Sequence, residues 1–115
     1  TKEALENLIE SLKNEGDLLL KMGNARGAVK FYTKCLRYQK KLSNTMGERE
    51  LTLSIALAKA LIRLVNRRAA SEQLLNSLLP LAQRLQATKE ITEIEQLLNN
   101  RNKNHNIMTM LKGIS

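Results

Sequence analysis

The chain has 115 residues, of which 43% are hydrophobic and 26% are charged, a balance typical of one folded domain. Five Gly and one Pro are too few for the tight turns of an all-β fold. One Cys excludes an internal disulfide and a cysteine-based zinc site, and one His excludes most metal sites. The net charge of +8 favours an anionic partner. We therefore expect one domain with no cofactor and no metal.

Apolar residues recur every three or four positions along nearly the whole chain, which is the spacing of amphipathic helices. The first predicted helix runs from Leu5 to about Met22. Gly23 is expected to end it, and Asn24 to cap a second helix that extends to about Leu42. Since the connection is short, the two helices should form an antiparallel hairpin.

A second pair of helices is predicted after a break at 43–47. The third helix runs from Leu51 to Val65, and a turn at Asn66 leads into the fourth. Pro80 lies inside that fourth helix and predicts a kink or a change of direction near Leu79, because proline lacks a backbone N–H and crowds the preceding turn.

The end of the chain is predicted to cap the domain. Thr88 is expected to cap a fifth helix, and the polar, Asn-rich stretch 99–106 reads as a loop. A last helical turn is predicted at 107–111. The fold class is therefore all-α: antiparallel hairpins in a short solenoid, with a first helix pair at 1–43, a second at 48–86 and a C-terminal cap at 88–115.

Residues 12–36 resemble a tetratricopeptide repeat (TPR). Gly16 in the first helix and Ala28 and Cys35 in the second stand at the family's small positions, where the two helix axes come close, and Tyr32 stands at its aromatic position. A weaker second copy follows. In it Ser54, Ala58 and Leu61 correspond to Leu12, Gly16 and Leu19, while Ala70, Leu74 and Ser77 correspond to Ala28, Tyr32 and Cys35. The microtubule-interacting and trafficking domain shows a similar start but has only three helices.

The resemblance implies a protein–protein adaptor or scaffold domain with a concave groove. In TPR proteins the first helix of each pair lines this groove. Carried over by position, the partner-binding residues are Lys13, Leu20, Lys21, Ile55, Lys59, Ile62 and Arg63. An apolar floor with a basic rim suits an acidic or amphipathic partner peptide.

Basic residues cluster between 18 and 71, where only Glu48 and Glu50 are acidic. One row is predicted on the outer helix: Lys30, Lys34, Arg37 and Lys41. It is either a solvated face or a surface that binds the phosphate backbone of nucleic acid, although no aromatic residues are expected to interleave with it. Self-association through an uncapped apolar face is a third possibility, since two repeats are few.

Catalysis is not expected from this sequence. Cys35 is interpreted as a small core residue, and His105 as a solvated loop residue. Glu90, Glu93 and Glu95 are interpreted as a solvent-facing cluster, and no Gly-rich phosphate loop is present. No apolar run approaches the roughly 18 residues of a membrane span, and no signal peptide is visible, so we expect a cytoplasmic or nuclear chain.

Overall fold

The computed structural model describes residues 1–43 and 47–99. Its elements are α1 (Lys2–Lys21), α2 (Ala25–Leu42), α3 (Glu48–Ile62), a 3-10 turn (Val65–Arg67), α4 (Arg68–Arg84) and α5 (88–99). The described residues contain no strand, which confirms the all-α prediction. The last predicted helical turn, and the predicted loop beyond Asn99, lie outside the described residues.

The predicted boundary between α1 and α2 is confirmed by its hydrogen bonds. Gly23 adopts φ +85°, a conformation that other residues rarely tolerate, and the Asn24 N–H donates to the Leu19 carbonyl at 2.8 Å. The Asn24 side chain then caps α2, because its Oδ1 accepts the Gly27 N–H at 2.9 Å. The chain therefore reverses direction within three residues.

Small residues bring α1 and α2 into close contact. Gly16 is buried, and a Cβ built on it would lie only 2.8 Å from Cε1 of Tyr32. Ala28 and Cys35 are fully buried on the facing side of α2, and the Cys35 thiol donates to the Ile9 carbonyl at 3.5 Å. The ring of Tyr32 in α2 thus lies directly against the backbone of α1.

α1 and α3 lie side by side and run parallel. Arg49 of α3 pairs with Glu6 of α1 at 3.7 Å, and further along both helices the Arg63 guanidinium donates to the Leu20 carbonyl at 3.1 Å. α2 packs against both helices, and α4 packs against α3. The helices therefore form two layers, α1 and α3 in one and α2 and α4 in the other.

α5 extends the layer of α1 and α3. Its Ile94 is fully buried in a core shared with Leu51 and Ile55 of α3 and with Leu75 of α4. Its Glu93 pairs with Lys59 of α3 at 3.2 Å. α5 thus contacts the second hairpin much as α3 contacts the first, and it caps the solenoid.

The second hairpin differs from prediction in register. Ser54, Ala58 and Leu61 are buried as expected, but the buried positions of α4 are Ser71, Leu75 and Leu78, each one residue after the predicted Ala70, Leu74 and Ser77. The Ser71 hydroxyl donates to the Ala58 carbonyl at 2.9 Å. The shift arises because the 3-10 turn lengthens the connection between α3 and α4 relative to that between α1 and α2.

α4 continues through Pro80 to Arg84, so the proline lies inside the helix, and the kink near Leu79 stays a prediction. Pro80 is exposed, as is Asn76, whose carbonyl loses its helical donor. One expectation about a helix end differs. The cap of α5 is Ala87 rather than Thr88, because the Ala87 carbonyl accepts the first helical hydrogen bond, from Ile91.

Gly16→Ala is expected to lower the free energy of unfolding by about 1 kcal/mol. Overpacking against the buried Tyr32 ring costs about 2 kcal/mol, the middle of the usual range, and alanine regains roughly 1 kcal/mol through its higher helix propensity. Urea unfolding followed by circular dichroism measures the change. Ser11→Ala, at an exposed position of α1, is the control. A Gly16→Ala variant as stable as wild type contradicts the close contact.

Candidate functional site

A groove of about 440 Å³ lies along the layer formed by α1, α3 and α5. It is lined by all the predicted partner-binding residues except Ile62: Lys13, Leu20, Lys21, Ile55, Lys59 and Arg63. Ile62 packs instead against the core shared by α3, α4 and α5. The residues carried over by position therefore do come together, with that one exception.

The groove also contains residues that sequence reasoning did not place there. Tyr32 reaches its floor from α2, and Lys89, Glu90 and Glu93 line it from α5. Glu90 and Glu93 were interpreted as part of a solvent-facing cluster; both are half-exposed, and they line the groove because α5 lies beside α3. The spacing of positions 89, 90 and 93 on one face of a helix was the available signal.

A hydrogen-bonded cluster forms the floor of the groove beside α1. The Tyr32 hydroxyl donates to Oδ1 of Asp17 at 2.5 Å, and Nζ of Lys13 donates to Oδ2 at 2.9 Å. Partial burial raises the pKa of the Asp17 carboxyl, but the hydrogen bonds from Tyr32 and Lys13 outweigh burial, and the net pKa lies below its ordinary value. Burial and the neighbouring carboxylate both raise the pKa of Tyr32. Asp17 is therefore ionised and Tyr32 neutral near pH 7.

The remaining cations of the groove differ in whether they form ion pairs or hydrogen bonds with other residues. Lys59 pairs with Glu93, and both side chains are partly exposed. Arg63 lines the groove and uses Nη1 for the Leu20 carbonyl, and its guanidinium forms no ion pair among the described residues. Lys21 and Lys89 likewise form no ion pair within the described part of the chain. The cations that line the groove therefore outnumber its three carboxylates, Asp17, Glu90 and Glu93, and three of those cations form no ion pair within the described residues.

The predicted outer row lies on α2, away from the groove. Its members, Lys30, Lys34, Arg37 and Lys41, are all exposed. The expectation that no aromatic residues interleave with the row is wrong. Nζ of Lys34 lies 5.7 Å from the centre of the Phe31 ring, and Nζ of Lys41 lies 5.5 Å from that of Tyr38.

The structure gives Cys35 a core position. Its side chain is inaccessible, and burial raises the pKa of its thiol to about 11, so it is protonated near pH 7. His105 lies outside the described residues. Among the residues that are described, no group of three His, Cys, Asp or Glu side chains could hold a metal ion.

Comparison of the chain with known protein families, curated proteins and solved structures gives no match. The interpretation of the groove therefore rests on the residues of this chain. None of the described helices is both long enough and apolar enough to cross a bilayer.

Asp17→Asn is expected to lower the free energy of unfolding at pH 7 and to reduce the loss of stability on acidification. Because folding lowers the pKa of Asp17, its contribution is fully present above about pH 4 and disappears as the pH falls through the folded-state pKa. Urea unfolding at pH 7 and at about pH 2.5 measures the free energy of unfolding of the variant and of the wild type. The difference between these two free energies should be smaller at the acid pH.

Glu15→Gln is the matched control, since Glu15 is exposed on the same helix. It should change neither stability nor its pH dependence appreciably. If the free energies of unfolding of Asp17→Asn and wild type differed by the same amount at both pH values, Asp17 would not be held ionised by its neighbours.

Proposed function

We propose that this chain is a TPR-like, non-enzymatic adaptor domain that binds an acidic, amphipathic segment of a partner protein in the groove of α1, α3 and α5. The observation that carries the proposal is the combination, in one groove, of apolar lining residues and cations without ion pairs. Leu20 and Ile55 provide the apolar contacts, and Lys21, Arg63 and Lys89 provide the charge.

The size of the groove supports a peptide held by a few anchoring side chains. About 440 Å³ lies within the range of sites that enclose small ligands and is too small to enclose a whole helix. Apolar side chains of a partner would pack on Leu20, Ile55 and Ala56, while its carboxylates would face the cations of the rim. This is the mixture of contacts by which grooves in helical proteins hold amphipathic peptides.

The ion pair between Lys59 and Glu93 supports an acidic rather than a basic partner. Glu93 already occupies the position that a partner carboxylate would take beside Lys59. A partly exposed pair of this kind contributes only about 0–1 kcal/mol, so a well-placed partner carboxylate can replace it. Glu93 therefore competes with the partner for the same cation.

Reversal of two groove charges in Lys59→Glu/Arg63→Glu is expected to weaken binding of an acidic amphipathic peptide about tenfold. Each reversal replaces an attraction of a few tenths of a kcal/mol with a repulsion of similar size, and binding falls tenfold for each 1.4 kcal/mol. The probe is a fluorescent peptide with Leu and Glu on opposite faces, measured by anisotropy. The same peptide with Lys in place of Glu is its control and should not bind.

Glu93→Gln is expected to strengthen binding of that peptide a few-fold, because Lys59 loses its internal competitor. Glu95→Gln is the matched control, since Glu95 is an exposed carboxylate of the same helix that does not line the groove. Binding of the basic peptide, or equal affinities for wild type and the charge-reversal variant, contradicts the proposed site.

A further inference from the structure

We infer that the exposed face of α2 is a second binding surface, one that takes single-stranded nucleic acid. The surface consists of the outer row, Lys30, Lys34, Arg37 and Lys41, and of the two rings beside it, Phe31 and Tyr38. It belongs to the layer opposite the groove, so this inference does not rest on the proposed peptide site.

The positive charge of the outer row has no acidic counterpart on its own helix. The helix carries Lys and Arg but no Asp or Glu, and no ion pair involves the outer row among the described residues. Positions 30, 34, 37 and 41 fall on one side of the helix and span roughly 16 Å along its axis at about 1.5 Å per residue. Like charges at this spacing repel one another, and a chain of phosphates laid along the row would relieve the repulsion.

Two aromatic side chains lie beside the outer row on α2. Phe31 and Tyr38 are seven residues apart, which places them on one side of α2 about two turns from each other. Each ring is half-buried and lies beneath an ammonium group, Lys34 for Phe31 and Lys41 for Tyr38. Contact with the ring restricts the lysine side chain before it meets a phosphate, and the ring offers a surface on which a base can stack.

These features fit a single strand better than a duplex or a bilayer. In a duplex the bases are already stacked on one another and cannot reach the rings, whereas in a single strand they can. A helix that binds at a membrane surface inserts exposed apolar side chains. The exposed large apolar residues of the described chain are Leu8, Leu18, Met22 and Leu85, none of which belongs to α2.

The first test is fluorescence anisotropy with a labelled poly-dT oligonucleotide of about 20 nucleotides. Four phosphate contacts predict a slope of log K against log[salt] of about −2.8, so binding should weaken roughly 50-fold between about 50 and 200 mM salt. Lys34→Gln/Lys41→Gln removes two contacts and should reduce the slope by about 1.4. Phe31→Leu should weaken binding about fivefold or more with no change of slope, because it removes stacking and no charge.

The controls separate this surface from the groove and from other anionic ligands. Lys59→Gln/Arg63→Gln should bind the oligonucleotide as wild type does, whatever it does to peptide binding. A duplex of the same length should bind more weakly than the single strand, and vesicles of phosphatidylcholine and phosphatidylserine should not bind at all. The inference is overturned if no oligonucleotide binds at low salt, if the α2 variants bind as wild type does, if the duplex binds at least as well, or if only the vesicles bind.

Discussion

The close approach of α1 and α2 at Gly16 is the constraint on which the rest of the structure depends. Because Gly16 has no side chain, the Tyr32 ring lies against the backbone of α1 and its hydroxyl reaches past the core to Asp17. The hydroxyl and Lys13 together hold Asp17 ionised at the floor of the groove. One contact in the core therefore also fixes the polar pattern of the proposed binding surface.

The groove exists because three helices lie in one layer. Contacts at both ends align α1 with α3, and α5 repeats the arrangement through Ile94 in the core and Glu93 at the surface. α5 therefore does more than cover apolar residues, since it supplies both a cation of the groove, Lys89, and the carboxylate that pairs with Lys59. The same helix thus contributes to the core and to the charge of the groove.

Much of this arrangement could be predicted from local sequence patterns. The remaining features depend on how helices that are distant in sequence pack against one another. The small positions Gly16 and Ala28 and the turn at Gly23 are local signals, so the first hairpin was predicted closely. The register of α4 was missed by one residue because the length of a 3-10 turn is not visible in periodicity. The pairing of Glu93 with Lys59 was not predicted because the two residues are distant in sequence, and only the packing of α5 beside α3 brings them together.

The central claim is that the groove of α1, α3 and α5 receives the acidic partner. The most direct measurement is a titration of ¹⁵N-labelled protein with the acidic peptide, followed by amide chemical shifts. The account predicts that the shifts concentrate at Leu20, Lys21, Ile55, Lys59 and Arg63 and leave the exposed face of α2 unchanged. Shifts concentrated on α2, or on the exposed side of α1 around Leu8 and Leu18, would contradict it.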